Sequence, residues 1–347
     1  MDLQAARALK EEIARDIVRP RVLRIASEPR AVQAAGVRRV TGVQAGIALG
    51  IAAGAGEGDW RLAVRVQRRV LELDETLLAR IQEAAGREAD VAYIGTVFKG
   101  ARKAGAAALE RPWHQQRQRP LRIGASVGHA SVTAGTLGAF GIHRPSGRTV
   151  MLSNNHVLAN ENKAKIGDAV LQPGAYDGGR RGADAVAELL GFVAIKPKMN
   201  NLVDAAVAAL AADVAWDGAT LTGIGTLAGV RTGMLVPGDR VRKVGRTTGV
   251  THGVVTAIEV DDVVVRYERG EIGFDSQIEI ESTDRRPFSA GGDSGSVIVD
   301  AQDRACALLF AGSDQGGQNG LGVTYANDLG LVLQALEIEL TTRASAA

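Results

Sequence analysis

The sequence predicts a mostly β protein, built as a barrel or a sandwich and preceded by a small α/β unit. From Leu121 onward the chain is a series of short apolar segments separated by Gly, Asn, Asp and Pro. Many short strands joined by such turns are typical of β-barrels and β-sandwiches. Glycine is abundant, at 43 of 347 residues, which suits a chain with many tight turns. Before residue 111, helical and alternating apolar patterns occur together.

The N-terminal unit, residues 1–110, is predicted to contain four main elements. They are an amphipathic helix over 2–19 that ends at Pro20, a strand over 61–70, a helix capped by Asp74 that carries Leu77, Leu78, Ile81 and Ala85, and a strand over 89–97. The unit has neither His nor Cys, so it offers no plausible catalytic set. We expect a regulatory domain that is retained, with a removable pro-region as the alternative.

Residues 111–120, RPWHQQRQRP, are polar, basic and bounded by prolines. This composition predicts an exposed linker and the easiest place to cut the chain. The β-rich part follows over residues 121–340, and a helix over 328–340 is predicted to close it.

Composition argues against several classes of function. The net charge is +2, which gives no electrostatic reason to expect a nucleic-acid or membrane-surface partner. The single cysteine, Cys306, lies in an apolar run, so it can form neither an intramolecular disulfide nor a Cys-rich metal site. Phosphate-loop and His-Glu-x-x-His motifs are absent, so no cofactor or metal is expected. With no signal-peptide pattern and no long uncharged apolar window, the expected location is the cytoplasm.

The strongest local signal for chemistry is the run GGDSGS over 291–296, which leads directly into an apolar strand. A serine hydroxyl becomes a useful nucleophile only when a base takes its proton and hydrogen-bond donors receive the oxyanion. Glycines around Ser294 let the chain turn sharply and leave the N–H groups of Gly292 and Ser294 open toward a substrate carbonyl. Taken alone, the motif is also compatible with an ordinary glycine-rich turn.

The base must be one of five histidines: His114, His129, His143, His156 and His252. His156 is the candidate, because it stands at the end of an apolar strand, where a side chain can face a cleft while its backbone stays fixed. A purely structural histidine is the alternative. His252 lies within a predicted strand and serves as a control position.

An acid that orients the histidine should be buried, and therefore flanked by apolar residues. Asp204, in the run LVDAAV, has the most consistently apolar flanks of any acid in the chain. Burying its carboxylate without a partner would be costly, so an imidazole N–H is expected beside it. A strand-edge aspartate facing water is the alternative.

The three residues follow in the order His156, Asp204, Ser294, separated by 48 and 90 residues. In a double-barrel peptidase, the histidine and aspartate come from the first barrel and the serine from the second. The joint pattern predicts a Ser-His-Asp triad.

Over about residues 121–340 the sequence resembles the trypsin/chymotrypsin-like serine peptidases. The resembling pieces are SNNHVL, VDAAVA, GDSG and, at 244–255, VGRTTGVTHGVV, while GHASVTAGTLGAF and LQPGAYDGG resemble intracellular bacterial trypsin-like proteins and the plant Narrow Leaf proteins. The resemblance implies a chymotrypsin-like double β-barrel, with a first barrel over about 121–215 and a second over about 216–326. Some bacterial relatives are associated with gasdermin pore-forming defence, which makes a gasdermin-like protein one candidate partner.

The sequence departs from the family pattern at several positions. Ser296 replaces the usual glycine after the motif, and the family's disulfides are absent, which fits a cytoplasmic enzyme. Phe288 stands where the family pattern puts the pocket floor, so specificity for basic residues by that route is not expected. The residues that the resemblance assigns to the pocket walls are Gly312, Ser313 and Gly322, with Asp314 as a further acidic candidate.

Two functions follow from this sequence. The first is a serine endopeptidase that cleaves a specific protein or peptide substrate through an acyl-enzyme on Ser294. The second is a non-catalytic module with the same fold that binds a protein partner. Substrate identity, residue preference at the cleaved bond and oligomeric state stay open.

Overall fold

The computed structural model describes residues 1–20, 46–68, 75–100 and 111–342. The N-terminal elements are α1 (Leu3–Ile13), continued by a π-helical turn (Ala14–Val18), β1 (Ile47–Ala53), β2 (Trp60–Val66), α2 (Glu75–Ala85), β3 (Ala89–Tyr93) and β4 (Val97–Lys99). The predicted elements at 2–19, 61–70 and 75–85 therefore have counterparts, whereas the predicted cap Asp74 lies outside the described residues.

The next part of the chain contains eight strands and one short helix. They are β5 (Leu121–Arg122), β6 (Ser126–His129), β7 (Gly135–Thr136), β8 (Ala139–His143), β9 (Arg148–Ser153), α3 (Asn155–Leu158), β10 (Ala169–Leu171), β11 (Ala185–Phe192) and β12 (Ala206–Leu210).

The last part carries the remaining strands and one helix. They are β13 (Trp216–Asp217), β14 (Thr220–Leu221), β15 (Gly225–Thr226), β16 (Gly229–Val230), β17 (Arg240–Gly245), β18 (Gly249–Asp261), β19 (Val263–Tyr267), β20 (Gly270–Phe274), β21 (Gln277–Ser282), β22 (Val297–Asp300), β23 (Arg304–Gly312), β24 (Thr324–Asp328), α4 (Leu329–Ala335) and β25 (Ile338–Leu340).

Two curved antiparallel sheets form the body of the molecule. Strands β17, β18, β21, β24, β23 and β22 pair in that order, and β22 returns to β17, which closes a six-stranded barrel. Strands β8, β9, β12, β11, β10 and β6 form the other, curled sheet. The chymotrypsin-like double-barrel architecture expected from the resemblance is confirmed.

Alternating apolar side chains fill both sheets. Phe140, Leu152 and Val207 belong to the core of the first sheet, and Ile280 and Ile298 to that of the second. All five are almost completely buried. Each such side chain contributes about 1.5–3 kcal/mol through removal from water. These two cores fix the strand ends from which the candidate site is built.

The N-terminal unit is continuous with the second barrel. Strand β1 pairs with the far end of β18, β2 pairs with β1, and β3 runs parallel to β2. Helices α1 and α2 cover this extension, and Ile13, Leu62 and Ile81 lie in their shared core. The unit and the barrel therefore share one sheet.

The predicted strand over 89–97 is divided into two. Strand β3 ends at Tyr93, and Gly95, with φ +68°, turns the chain before β4 begins at Val97. Strand β4 then leaves the N-terminal unit and lies between β19 and β23 of the second barrel.

The predicted linker at 111–120 is largely exposed, with a 3-10 turn (Trp113–Gln115) in which His114 alone is buried. The ring Nδ1 of His114 lies 2.7 Å from the carbonyl oxygen of Arg246. One sequence prediction needs correction. The expected helix over 328–340 ends at Ala335, because Glu337 has a φ of +52° and the following residues form β25 against β8.

No helix among the described residues is long and apolar enough to cross a membrane.

A buried ion pair joins the N-terminal unit to the second barrel, and its removal provides a test of the shared sheet. Arg65 Nε of β2 lies 2.9 Å from both carboxylate oxygens of Glu279 on β21, and Tyr325 also donates to Glu279. We predict that Arg65→Met lowers the free energy of unfolding by about 3–5 kcal/mol, because Glu279 stays buried with its cation removed. Urea unfolding measures the change. Arg15→Met, which breaks an exposed pair with Asp16, is the control and should change little. Equal stabilities of the two variants would show that the Arg65–Glu279 pair does not stabilise the fold.

Candidate active site

His156 and Asp204 are in direct contact. His156 lies in the one-turn helix α3 that follows β9, one step beyond the strand end that the sequence suggested. Its Nδ1 lies 2.6 Å from Asp204 Oδ2, and its backbone N–H donates to Asp204 Oδ1 at 3.2 Å. Two contacts on one carboxylate fix both the position of α3 and the plane of the imidazole. His156 Nδ1 therefore carries the proton, which leaves Nε2 free to accept one.

Asp204 is fully buried, as its apolar flanks predict. Its Oδ2 also accepts the hydroxyl of Tyr267 at 2.6 Å. Burial alone would raise the pKa of the Asp204 carboxyl, but the electrostatic interaction with His156 and the hydrogen bonds from His156 and Tyr267 outweigh burial and lower it. The pKa of the Tyr267 hydroxyl is raised by burial and by the same carboxylate, so Tyr267 stays a donor. Asp204 is therefore ionised at neutral pH.

Ser294 lies in the loop between β21 and β22, beside the helix that carries His156. The backbone N–H of Thr136 donates to the Ser294 carbonyl oxygen at 2.8 Å. A Cβ at the neighbouring Gly135 would meet both Val157 and that same oxygen at 2.4 and 3.1 Å. The turn containing β7 therefore packs against α3 and the Ser294 loop together.

Two carbonyl oxygens of the Ser294 loop are anchored by side-chain hydroxyls. Thr247 Oγ1 donates to the carbonyl oxygen of Gly291 at 2.6 Å, so the N–H of Gly292, across a trans peptide, points the opposite way. Ser296 Oγ donates to the carbonyl oxygen of Asp293 at 2.6 Å, so the Ser294 N–H points away from Ser296 Oγ. Gly292 has a φ of +101°, and a Cβ there would lie 2.5 Å from Thr247 Oγ1, so this position requires glycine.

A buried ion pair holds the same loop from below. Asp293 Oδ2 lies 3.3 Å from Lys243 Nζ, and both side chains are fully buried. Asp293 also accepts the N–H groups of Thr247, Thr248 and Ala290. Burial would raise the pKa of Asp293, but Lys243 and these donors lower it, so the carboxyl is charged. The Asp293–Lys243 pair and these hydrogen bonds therefore hold the loop around Ser294 in one shape.

The Ser294 hydroxyl does not point at His156. Its Oγ donates to the carbonyl oxygen of Phe310 at 3.3 Å, and no hydrogen bond joins it to His156 within the described part of the chain. Strand β4 ends beside it, since a Cβ built on Gly100 would lie 3.0 Å from Ser294 Oγ. The backbone N–H of Gly100 donates to the same Phe310 oxygen at 3.1 Å. The cleft at Ser294 is thus occupied by a segment of the N-terminal unit.

The residues expected in a specificity pocket lie in two places. Phe288 is buried in the core cluster of the second barrel, and its ring lies 5.9 Å from Lys243 Nζ. Gly312 ends β23, and Ser313 meets Gly322 so closely that a Cβ on Gly322 would lie 2.1 Å from the Ser313 oxygen. Asp314 is exposed. Their contact with a substrate side chain stays a prediction.

The other histidines have partners of their own. His252 is half exposed, with Nδ1 3.3 Å from Asp284, and His129 lies 3.2 Å from Asp168. His143 contacts Ser146. Within residues 1–20, 46–68, 75–100 and 111–342, no three His, Cys, Asp or Glu side chains are grouped as metal ligands would be.

Sequence reasoning missed Tyr267, Lys243 and the residues that anchor the loop carbonyls. Tyr267 lies 63 residues beyond Asp204 in the chain, and no local pattern relates the two. Lys243 lies in RVRKVG, where a charge within an alternating strand predicts a solvent-facing side chain. The sequence feature that could have indicated Lys243 is Asp293, because an acid buried directly before Ser294 needs a cation beside it.

Comparisons with known proteins give one family match. A family model described as the Nal1 C-terminal domain matches residues 192–345, which include Asp204 and Ser294 but not His156. The similarity to the plant Narrow Leaf proteins therefore concerns that part of the chain. No curated protein matches the sequence.

Several solved structures are similar to the chain at low identity. Thermobifida fusca protease A has 15% identity and a TM-score of 0.44, covering 65% of this chain and 100% of its own. A Cellulomonas bogoriensis chymotrypsin has 17% identity and a TM-score of 0.43, again covering 65% and 100%. The Nocardiopsis protease has 18% identity and a TM-score of 0.45, with the same coverage.

The Tyr267 hydroxyl provides a test of how Asp204 is held. We predict that Tyr267→Phe lowers the free energy of unfolding at neutral pH by about 1–3 kcal/mol, because a buried carboxylate loses a donor. The pKa of Asp204 is depressed in the fold, so its stabilisation is present at neutral pH and lost as the pH falls through that pKa. The deficit of Tyr267→Phe should therefore shrink on acidification.

Urea unfolding at a series of pH values between about 2 and 7 measures this dependence. Tyr176→Phe is the matched control, because Tyr176 is 70% exposed. A deficit that is the same at every pH would show that Tyr267 does not act through the Asp204 charge.

Proposed function

We propose that the protein is a serine endopeptidase in which Ser294 attacks a peptide bond, His156 transfers the proton and Asp204 orients His156. The observation that carries this proposal is the buried Asp204–His156 contact, with Nδ1 to Oδ2 at 2.6 Å, near a serine loop whose Gly291 and Asp293 carbonyl oxygens are anchored by hydroxyls. Burying a carboxylate is costly unless hydrogen-bond donors compensate it, and here one donor is an imidazole whose other ring nitrogen can accept a proton. Acyl transfer uses all three parts at once.

Each part has a defined task in the proposed reaction. His156 Nε2 accepts the Ser294 proton as Oγ bonds to the substrate carbonyl carbon, and Asp204 stabilises the imidazolium. The N–H groups of Gly292 and Ser294 receive the negative oxygen of the tetrahedral intermediate. His156 then protonates the leaving amine, and water hydrolyses the ester on Ser294 by the same steps in reverse order.

In the proposed reaction, the present position of Ser294 Oγ belongs to the resting enzyme. The hydroxyl turns from the Phe310 carbonyl oxygen toward His156, and Gly100 leaves the vicinity of Oγ before a substrate carbonyl enters. Asp293 and Lys243 hold the loop around Ser294 during these changes.

One observation favours the alternative, a non-catalytic module that binds a partner through the cleft. It is the Ser294–Phe310 hydrogen bond, which leaves Ser294 and His156 unconnected. A cytoplasmic location and a protein substrate, with a gasdermin-like protein as one candidate, belong to the first proposal as expectations.

Labelling with a fluorophosphonate probe separates the two functions, because the probe reacts with activated serines. We predict that peptide mapping by mass spectrometry finds the probe on Ser294. The rate should fall by at least about a thousandfold in His156→Ala, which loses the base. Gly100 lies against Ser294 Oγ, and a branched side chain is incompatible with its φ of +58°. Gly100→Val should therefore move this segment away from Ser294 and raise the labelling rate.

The matched control is His252→Ala, which removes an exposed histidine far along the chain from the site and should label like the parent protein. Ser294→Ala should not label and should unfold at nearly the parent temperature. Equal labelling rates in the parent protein and His156→Ala would overturn the triad assignment.

A further inference from the structure

Strand β4 lies in the cleft in the manner of a bound peptide. It pairs antiparallel to β23, with Lys99 opposite Ala311 and Phe98 opposite Gly312, and the Gly100 N–H continues the ladder to Phe310. On its other side it pairs with β19. An extended peptide added to a sheet edge gains affinity from the main chain and specificity from its side chains.

The position of Ser294 sets the order of residues along this strand. A Cβ on Gly100 would lie 3.0 Å from Ser294 Oγ and 3.6 Å from the Gly292 nitrogen. Gly100 therefore lies where the residue just before a cleaved bond would lie under the proposed function. Lys99 then lies at the position of the second residue before that bond, and Phe98 at the position of the third.

The side chain of Lys99 enters an acidic environment. Its Nζ forms an ion pair with Glu161 and lies 3.6 Å from Glu268. The ammonium also lies 6.0 Å from the centre of the Tyr267 ring, the same tyrosine that donates to Asp204. The position that corresponds to the second residue before a cleaved bond is therefore lined by two carboxylates and the face of an aromatic ring.

Glu161 is the unusual member of this group. Its side chain is only 2% exposed, and its Oε2 has no hydrogen-bond partner. The Glu268 N–H donates to Oε1 at 3.1 Å, while Arg269 contacts the Glu161 backbone oxygen and not its carboxylate. Lys163 pairs with Glu268 at 2.9 Å. Among the residues that the structure describes, Lys99 is therefore the cation on the Glu161 carboxylate.

A buried carboxylate with an unsatisfied oxygen is costly without a cation. When β4 leaves the cleft, Lys99 leaves with it, and the Glu161 charge remains at the position of the second residue before the bond. A peptide that brings a new cation to this position regains the interaction, and one that brings a neutral side chain does not.

We infer that Glu161 and Glu268 form an acidic subsite that selects Lys or Arg at the second residue before the cleaved bond, and that Lys99 fills this subsite in the resting protein. The inference rests on the proposed function and names its substrate class. Gly100 has a φ of +58°, a conformation that L side chains rarely adopt, so the resident segment favours glycine at the first position before the bond. The test peptide therefore copies the resident segment, with a basic residue followed by glycine.

Binding to the full chain carrying Ser294→Ala and Lys99→Gln tests the subsite without requiring catalysis. The probe is fluorescein-labelled Val-Phe-Lys-Gly, and its partner is the same peptide with norleucine in place of lysine, which keeps the aliphatic stem and removes the charge. Fluorescence polarisation should show at least about tenfold tighter binding of the lysine peptide. It should also show weaker binding of that peptide when Lys99 is restored.

Glu161→Gln keeps an acceptor for the Glu268 N–H but removes the charge, so the lysine preference should fall toward unity. Glu268→Gln, at a side chain that is 64% exposed, should reduce it partly without endangering the fold. Glu271→Gln is the matched acidic control, and Lys165→Gln is the control for Lys99→Gln. Neither control should alter the preference. Equal affinity of the lysine and norleucine peptides for the Ser294→Ala, Lys99→Gln chain, in which both glutamates are intact, would overturn the subsite.

Hydrolysis separates this inference from the proposed function. With Ser294 restored in the Lys99→Gln chain, kcat/KM for the coumarylamide of the lysine peptide should exceed that of the norleucine peptide by the same factor. Lysine-selective binding with no hydrolysis of either peptide would leave the subsite standing and refute the peptidase. Hydrolysis of both peptides at one rate, with equal binding, would support the peptidase and refute the subsite.

Discussion

The buried carboxylate of Asp204 is the constraint on which the arrangement of the site depends. A charge with no exposure to water must be matched by donors, and these come from both halves of the molecule. His156 lies in α3, which follows a strand of the first sheet, whereas Tyr267 lies on β19 in the later part of the chain. The backbone N–H of Asp204 donates in addition to Asn327 Oδ1 at 2.9 Å, on β24 of the second barrel. Satisfying one aspartate therefore aligns the two barrels, and the cleft between them follows.

A second buried charge, Asp293, organises the other side of the cleft by the same principle. Lys243 and three backbone N–H groups compensate its carboxylate, and the loop around Ser294 must take the shape that these contacts allow. In that shape the N–H groups of Gly292 and Ser294 lie opposite two carbonyl oxygens that hydroxyl groups already hold. Donors that are already oriented need no reorganisation when charge develops on a substrate oxygen, which is where such sites gain most of their effect. Glu161 is a third buried acid, and its cation belongs to the segment that fills the cleft.

Much of the site could be predicted from the sequence, because some of its residues stand out locally. Ser294 lies among glycines, and Asp204 is an acid between apolar residues. The shared sheet of the N-terminal unit could not be predicted, since β1 and β18 are some 200 residues apart and strand pairing leaves no local trace. The run VFKG at 97–100 is too short to show that it fits between β19 and β23. The helix predicted over 328–340 is longer than the observed one. Leu336, Ile338 and Leu340 alternate, but this stretch is too short to distinguish the two-residue period of a strand from the helical period.

If the Asp204–His156 pair makes Ser294 a nucleophile, an acyl-enzyme on Ser294 can be trapped. The chain would be mixed with a p-nitrophenyl ester, quenched in acid and mapped by mass spectrometry. We expect one ester-linked acyl group on Ser294, lost with time when the chain is left unquenched at neutral pH and absent from His156→Ala. An acyl group found elsewhere, or formed on Ser294 equally well without His156, would contradict this role of the pair.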